Sequence, residues 1–419
     1  MGDPQWPFGP GGFDLSQFMG MFSGNASGPV NWDTARQIAA QVAAHDPATG
    51  ESVPDTPVPA SRAEHVDSLV RAAQTTVASA TGLAECVALA TRCVTRAEWT
   101  TVTLEGLHPV LEALASRTAG AFGAADFGGA ALDLPSDEPD LGAFFGQMMG
   151  AVTPMFFGMQ AGSLAGLLSH HALGQYDLPL PLAGSPQLAF VLSNVERFAA
   201  DWELPFDELC FALGARETVH AAQRSIGWVR DRLVSLATAY VDGYELRVDR
   251  LTDDIPGFAA LADLDDVDPM TMLQRLGAGD LPGLDVDPSE LLAAMQTERQ
   301  VPVLAELQRF GAVLGGYADT VVDSLSSLVG PNAGRIEEAL RRHRVERGEA
   351  AQFVDSMLGL QLDRSHYEAG HHFCTGVVER AGLPGLNRLW ERESHLPTES
   401  EFAAPGLWLA RLDLGIGDD

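Results

Sequence analysis

Apolar positions recur at helical spacing along most of the chain, and no convincing run alternates with a period of two. Between residues 63 and 80, for example, the i, i+3, i+4, i+7 pattern is carried by Val66, Leu69, Val70 and Ala73. The pattern therefore predicts a mainly α-helical protein. Helices are predicted at residues 30–45, 63–80, 96–122, 141–176, 190–202, 205–223, 226–244, 289–329, 335–347, 349–360, 366–381 and 386–390.

Stretches rich in Gly, Pro and acidic residues interrupt this pattern and suggest how the chain is organised. Residues 1–29 are rich in Gly, Pro, Phe and Met, which is typical of a flexible head. We expect an N-terminal helical region at 30–185, a helical domain at 186–412 and an acidic tail at 413–419. The boundary between the two helical parts is predicted near residue 185. An acidic, Pro- and Gly-broken stretch at 249–288 carries many of the carboxylates.

The segment 141–176 contains no Asp, Glu or Arg, which makes it the one candidate for a membrane span. Its glycines Gly158, Gly162 and Gly166 form consecutive GxxxG steps, so one helix face is bare enough for close packing. Pro154, several polar residues and the pair His170–His171 argue against a span, and no arginine cluster flanks it. A buried helix, or a pair broken near Pro154, is favoured, with a membrane-associated helix as the alternative. We expect His170 and His171 to be helix-end residues.

The charge of the chain excludes several classes of function. The chain has 57 acidic and 26 basic residues, a net charge of −31, and all 26 basic residues are arginine. Nonspecific binding to nucleic acids or anionic lipids needs clustered cations, so neither is expected as a partner. The absence of lysine also excludes a P-loop and a Schiff-base enzyme. The arginine run at 341–347 is interpreted as a solvated helix face rather than a phosphate site.

The four cysteines, Cys86, Cys93, Cys210 and Cys374, form no CxxC pair and are too sparse for a disulfide scaffold. They are interpreted as reduced core thiols, and Cys86 and Cys93 would share a helix face if their segment is helical. The first 28 residues lack the basic and apolar regions of a secretory signal. A cytoplasmic location is therefore predicted.

The group that suggests chemistry is the run from Arg216 to His220, which reads R-E-T-V-H. Zinc metallopeptidases have H-E-x-x-H, in which two histidines on one helix face bind the metal and the glutamate acts on the metal-bound water. Here arginine replaces the first histidine, and E-x-x-H alone is a weak signal. Glu217 and His220 extend an apolar stripe, so they need partners. The residues alone leave open whether they form a buried ion-pair network or a site.

In this context the sequence resembles the zincin-like zinc-dependent metalloprotease, or hydrolase, family of actinobacteria. The resemblance covers most of residues 28–412 and includes a helix that reads E-G-[HWY]-x-x-x-V-x-D in the family. The matching runs here are Gly28-Pro29-Val30-Asn31-Trp32-Asp33, Met148–Gly166, Trp202-Glu203-Leu204-Pro205, Arg216–His220, Trp228-Val229-Arg230, Gly316-Tyr317-Ala318-Asp319 to Asp323, Tyr367-Glu368-x-Gly370, Gly385–Trp390 and Leu396-Pro397-Thr398.

The resemblance implies a zincin-like fold and a metal site that this chain does not reproduce. The family's first zinc ligand falls on Arg216, its catalytic glutamate on Glu217, its second ligand on His220 and its third, a glutamate, on Gly315. Arginine stays protonated and glycine has no side chain, so neither can supply a lone pair. A catalytic zinc has three protein ligands and a water, and only one expected ligand remains. The inherited site would also include Tyr317, Asp319 and Asp323.

We therefore predict a metalloprotease-family protein with a degenerate zinc centre that acts through binding or scaffolding, with no cofactor and with a protein or peptide partner. The guanidinium of Arg216 would occupy the place of the metal, with Glu217 and either Asp319 or Asp323 as partners. The alternative is an active metal-dependent hydrolase with zinc, in which Glu217 is the general base and His220 a ligand. Its other ligands would come from Asp319, Asp323 or the Glu368–His372 region, although surface histidines are the favoured interpretation there.

Overall fold

The structure is a computed structural model of the chain. It describes residues 28–47, 49–83, 89–124, 141–178, 182, 187–245, 295–345, 357, 359 and 362–416. Several sequence-based predictions lie outside the described residues: most of the head, the acidic stretch 249–288, nearly all of the helix predicted at 349–360, and Cys86.

The described residues are mainly α-helical, which confirms the predicted fold class. The helices are α1 (Trp32–Ala43), α2 (Ala60–Thr81), α3 (Arg96–Ala124), α4 (Leu141–Ser169), α5 (Leu192–Asp201), α6 (Phe206–Ser225), α7 (Gly227–Asp242), α8 (Gln300–Ser324), α9 (Ser326–Val329), α10 (Ala333–Val345), α11 (Arg364–Asn387), α12 (Glu399–Phe402) and α13 (Pro405–Asp413). Short 3-10 turns follow α11 at 388–390 and 393–395.

Two short strands accompany the helices, although no alternating run marks them in the sequence. β1 (Ala90–Val94) and β2 (Gln187–Val191) pair in parallel, with Ala90 opposite Gln187 and Val94 opposite Val191. β2 shows no alternation because it is buried on both faces, as strands of parallel pairs commonly are. Cys93 lies in β1, so the helical face suggested for it and Cys86 is wrong at this position.

The apolar segment forms α4, which ends at Ser169 rather than continuing to Tyr176. His170 and His171 follow the helix directly, as predicted. The glycines of α4 allow α1 to pack closely against it, as the GxxxG spacing predicts. A Cβ on Gly162 would overlap the Ala35 carbonyl of α1, and one on Gly166 would lie 2.5 Å from the Val42 Cβ. Among the described residues, none of the helices combines the length and apolar character that crossing a membrane requires.

The contacts divide the chain into two compact units. The larger comprises Trp32–Leu114, Gly158–Tyr244 and Thr297–Asp419, and the other comprises Met1–Asn31, Ala115–Phe157 and Glu245–Gln296. All residues of the candidate site belong to the larger unit. The subdivision predicted from sequence composition stays a prediction.

Helix α6 runs through the core of the larger unit, since nearly every residue from Leu209 to Arg224 is buried. One side packs on α2, where Gly214 lets the Val70 backbone approach: a Cβ on Gly214 would be 3.2 Å from the Val70 Cα. A helix that is buried all round must satisfy its polar side chains internally, because no face remains for water. The polar residues of α6 therefore define the candidate site.

The Gly315–Gly316 pair lies inside α8, where each glycine costs roughly 1 kcal/mol relative to alanine. The reason for Gly316 is a backbone crossing with α11. A Cβ on Gly316 would overlap the Gly370 carbonyl group, and a Cβ on Gly370 would overlap the Ala312 carbonyl. Gly316 and Gly370 allow α8 and α11 to touch through their backbones.

Replacing Gly316 with alanine should destabilise the protein by about 1–3 kcal/mol, because the new methyl group meets backbone that cannot rotate away. Denaturant unfolding monitored by circular dichroism measures the change. Gly334→Ala is the matched control, since Gly334 is exposed in α10 with nothing within 4 Å of an added Cβ. The control should be neutral or slightly stabilising. Equal stability of the two variants would contradict the backbone crossing.

Candidate functional site

Arg216, Glu217 and His220 are all buried in α6, with exposures of 6%, 0% and 5%. Their spacing in the helix turns them toward different neighbours, because successive residues are about 100° apart. Arg216 contacts Asp319 of α8, Glu217 contacts the segment that follows α4, and His220 lines a small cavity. The run R-E-T-V-H is therefore inward-facing, as the apolar stripe predicted.

The centre of the site is a carboxylate held between two guanidinium groups. Nη1 of Arg216 donates to Oδ1 of Asp319 at 2.6 Å, and Nη2 of Arg344 donates to Oδ2 at 3.0 Å. Burial alone would raise the pKa of Asp319, but Arg344 and Arg216 outweigh it and hold the pKa well below its usual range. The predicted pairing of Arg216 with Asp319 is confirmed, and Arg344 is an additional partner.

Glu217 does not hydrogen-bond to Arg216, so this part of the predicted pairing is wrong. Its Oε2 accepts the backbone N–H of Tyr176 at 2.8 Å, and its Oε1 is buried without a hydrogen-bond partner. Gly174 makes room for the carboxyl group, since a Cβ there would lie 2.5 Å from the Glu217 Cδ. Burial raises the pKa of Glu217 to about 8, although the Tyr176 N–H opposes the shift. Glu217 is therefore mainly protonated at neutral pH.

His220 is fixed as one tautomer by a short chain of hydrogen bonds. Gln223 donates through Nε2 to the Leu314 carbonyl at 3.0 Å, which leaves its Oε1 as an acceptor. Nδ1 of His220 lies 3.0 Å from that oxygen and must therefore carry the proton. The lone pair is on Nε2. Burial and the nearby Arg216 and Arg224 keep the pKa of His220 well below its ordinary value, so the ring is neutral.

A cavity of about 40 Å³ adjoins these groups, enough for a few water molecules. Its lining includes arginine, histidine, tyrosine and aspartate, together with apolar residues that are mainly leucine. The lining residues are Tyr176, Asp177, Arg216, His220, Arg224, Leu233, Leu307, Gly311, Leu314, Gly315, Arg344, Leu362 and Tyr367. Arg216, His220 and Gly315 thus converge on one cavity, whereas Glu217 does not line it.

The remaining predicted positions are placed as follows. Gly315 faces the Tyr367 ring, and a Cβ there would be 3.3 Å from two ring carbons. Tyr317 is buried away from the cavity, where its hydroxyl donates to Asn387 at 2.7 Å. Asp323 lies 3.7 Å from His371 rather than beside Arg216. Burial and the neighbouring Glu337 raise the pKa of Asp323 to about 6.

The Glu368–His372 region, proposed as a source of further ligands, is not part of the site. Glu368 is exposed and pairs with Arg364 at 2.6 Å, and His372 is exposed. Neither residue lines the cavity. The favoured interpretation of surface histidines is therefore consistent with their positions.

The sequence predicts that Arg344 belongs to a solvated arginine run, but the structure places it in the core. Arg341 and Arg342 do lie on the surface, paired with Glu337 and Glu338, but Arg344 is only 6% exposed. A signal was present, because Arg344 follows Leu340 at i+4 and so continues the apolar face of α10. Because the neighbouring residues are also arginines, the segment resembles a charged surface, and the position of Arg344 on the apolar face is easily overlooked.

Four further cavity residues, Tyr176, Asp177, Arg224 and Tyr367, were also missed. Asp177 binds His343 at 2.9 Å and the Leu173 N–H at 3.1 Å. Burial would raise the pKa of Asp177, but these partners lower it to about 2. The Arg224 guanidinium lies 4.6 Å from the Tyr176 ring centroid, and its Nη1 donates to the His220 carbonyl. No local pattern marks Tyr176 and Asp177, because the segment 170–178 follows no helix or strand period.

Comparison with known families gives a match to the zincin-like metallopeptidases over residues 30–409. The chain belongs to this family. The chain also resembles a solved structure from Chloroflexus aurantiacus, described as a "putative hydrolase with a novel fold". The TM-score is 0.58 with 21% identity, over 92% of this chain and 99% of the other, which indicates a shared fold. No curated protein matches the chain.

A zincin-like metallopeptidase uses a catalytic zinc, but the residues present here do not fit one. Around the cavity, His220 offers one lone pair, while Arg216 occupies the position expected for the first ligand and Gly315 that of the third. Asp319 is already bound to two guanidinium groups, and Asp177 is already bound to His343. Within the described ranges, no group of three or more His, Cys, Asp or Glu side chains is arranged to hold a metal ion.

Asp319→Asn should destabilise the protein by about 3–5 kcal/mol, because it removes the carboxylate that two buried guanidinium groups share. Urea unfolding measures the loss. Asp231→Asn is the control, since Asp231 forms an exposed pair with Arg230, and should change stability by less than about 0.5 kcal/mol. A loss from Asp319→Asn as small as the control's would mean that the pair does not stabilise the fold.

The titration of Glu217 predicts a pH-dependent difference between the wild type and Glu217→Gln. The folded pKa of about 8 lies above the ordinary value of 4.5, so the unfolded state releases the proton first as pH rises. Wild-type stability should therefore fall relative to the variant from about pH 5 to pH 8, by up to about 1.4 kcal/mol per unit. The free energies of unfolding of the wild type and the variant should be similar near pH 4. A difference between these free energies that stays constant from pH 5 to pH 8 would contradict the raised pKa of Glu217.

Proposed function

We propose that the protein is a non-catalytic member of the zincin-like metallopeptidases and that it works by binding rather than by cleaving. The observation that carries this proposal is the Arg216–Asp319 ion pair at 2.6 Å, formed at the position where the first zinc ligand is expected. A guanidinium stays protonated and repels a divalent ion. Its carboxylate partner is also occupied by Arg344.

The chemistry of a zinc peptidase requires parts that this site lacks. Three protein ligands must hold the metal, and a carboxylate must act on the metal-bound water. His220 is the one remaining expected ligand, and Glu217 is turned toward the Tyr176 N–H and does not line the cavity. These features support a degenerate centre in which a hydrogen-bonded ion network replaces the metal.

The alternative is a working hydrolase in which Glu217 is the general base and zinc is bound by His220 and recruited ligands. This alternative has less support from the geometry. Asp319 is shared by two arginines, and Asp323 lies beside His371. Forming such a site would require breaking a buried ion pair, which typically costs about 3–5 kcal/mol.

The partner we propose is a protein or peptide, and the location the cytoplasm. The strong negative charge disfavours nucleic acid as a partner. The described cysteines Cys93, Cys210 and Cys374 are free thiols, which suits a reducing compartment. Burial raises the pKa of Cys210 to about 12, as expected of an inert core thiol rather than a nucleophile.

Zinc loading of the purified full-length chain tests this proposal. After incubation with zinc and gel filtration, the wild type should retain no stoichiometric zinc, measured by atomic emission, and should show no peptidase activity that depends on His220. A double variant, Arg216→His with Gly315→Glu, returns two donors to the expected ligand positions and should retain more zinc than the wild type. Stoichiometric zinc in the wild type that is lost in His220→Ala would contradict the proposal.

A further inference from the structure

Arg216 and Arg224 both line the cavity beside His220, and each has N–H donors without a hydrogen-bond partner among the described residues. Nη1 of Arg216 donates a hydrogen bond to Asp319, and Nη1 of Arg224 donates one to the His220 carbonyl. Nε of each is buried without a hydrogen-bond partner. Within the described part of the chain, Nη2 of Arg216 and Nη2 of Arg224 donate no hydrogen bond. Since Nε and Nη2 lie on the same side of a guanidinium, each arginine keeps one intact two-donor fork.

Arg224 has no ion-pair partner among the described residues. The side chain is 3% exposed, lies over the Tyr176 ring and donates to the His220 carbonyl, and it also interacts electrostatically with Glu217 without forming an ion pair. No carboxylate of these residues lies within ion-pairing distance of it, whereas Arg216 has Asp319. Guanidinium does not deprotonate in proteins, so burial does not neutralise it. A buried cation without a counter-ion is unfavourable by several kcal/mol, which favours uptake of an anion.

The walls of the cavity define the shape of such an anion. A fork with two parallel N–H groups fits the two oxygens of a carboxylate. The lining also includes the apolar side chains of Leu233, Leu307 and Leu314, which can contact a short hydrocarbon tail. The volume of about 40 Å³ admits a few heavy atoms. Asp177 also lines the cavity, but its Oδ2 is already bound by His343 and the Leu173 N–H.

We propose that this cavity binds a small monocarboxylate, held by the free edges of Arg224 and Arg216 and in contact with the leucines. Arg224 has no carboxylate within ion-pairing distance among the described residues, and a singly charged ligand would balance its charge, which favours a carboxylate over a phosphate dianion. The proposal rests on the proposed function, because the space and the positive charge are available only where no zinc is bound. The network that replaced the metal centre would thus create a ligand site.

Acetate and trifluoroacetate are the probes, used with the full-length chain treated with EDTA and checked for metal. Calorimetry should give saturable acetate binding to the wild type at constant ionic strength, and acetate should displace trifluoroacetate in fluorine NMR. Arg224→Gln should weaken binding by about tenfold or more, because it removes the guanidinium charge and the fork. The matched control Arg230→Gln, an exposed arginine on α7, should bind as the wild type does.

Three results would overturn the proposal. The first is no saturable acetate binding to the wild type, which needs no variant and means that water satisfies the arginines. The second is equal binding by the wild type and Arg224→Gln. The third is tighter binding of inorganic phosphate than of acetate. If acetate binds only before EDTA treatment, the ligand belongs to a metal site, and the proposed function fails as well. If the protein binds neither zinc nor acetate, the carboxylate site is overturned, whereas the proposed function, which expects no zinc, is not.

Discussion

The structure depends on one buried ion pair network, in which Asp319 of α8 is shared by Arg216 of α6 and Arg344 of α10. Three charges in a core are unfavourable unless each is paired with good geometry. Because the carboxylate uses one oxygen for each arginine, the network fixes the relative positions of three helices. The close backbone contact between α8 and α11 at Gly316, one helical turn before Asp319, further restrains α8.

The proposed function gives this network a role in the fold. The family resemblance places the expected first and third zinc ligands on α6 and α8, and in this chain a guanidinium of α6 and a carboxylate of α8 join the same two helices. His220 has its proton on Nδ1 and its lone pair on Nε2, because Gln223 and the Leu314 carbonyl dictate this tautomer. Under the proposed function, the ion network would join the two helices in place of a metal.

The sequence predicted the helical fold and the inward stripe of α6 because burial follows a 3.6-residue period. It also predicted that Arg216 pairs with Asp319 or Asp323, since a cation on a buried face needs a carboxylate, but it did not distinguish between the two. It did not predict the contact of Glu217 with the Tyr176 N–H, because that contact depends on how the irregular segment 170–178 turns back along β2. Arg344 was missed because a run of arginines resembles a solvated surface, although its spacing from Leu340 places it inside. The short strands β1 and β2 carried no alternating pattern.

The most direct test of the account is a crystal structure of the protein grown with excess zinc, with anomalous data collected at the zinc edge. The account predicts no anomalous peak within coordination distance, about 2 Å, of the His220 Nε2. It also predicts that Arg216 remains bonded to Asp319. A strong tetrahedral peak beside His220, with Arg216 displaced from Asp319, would contradict it.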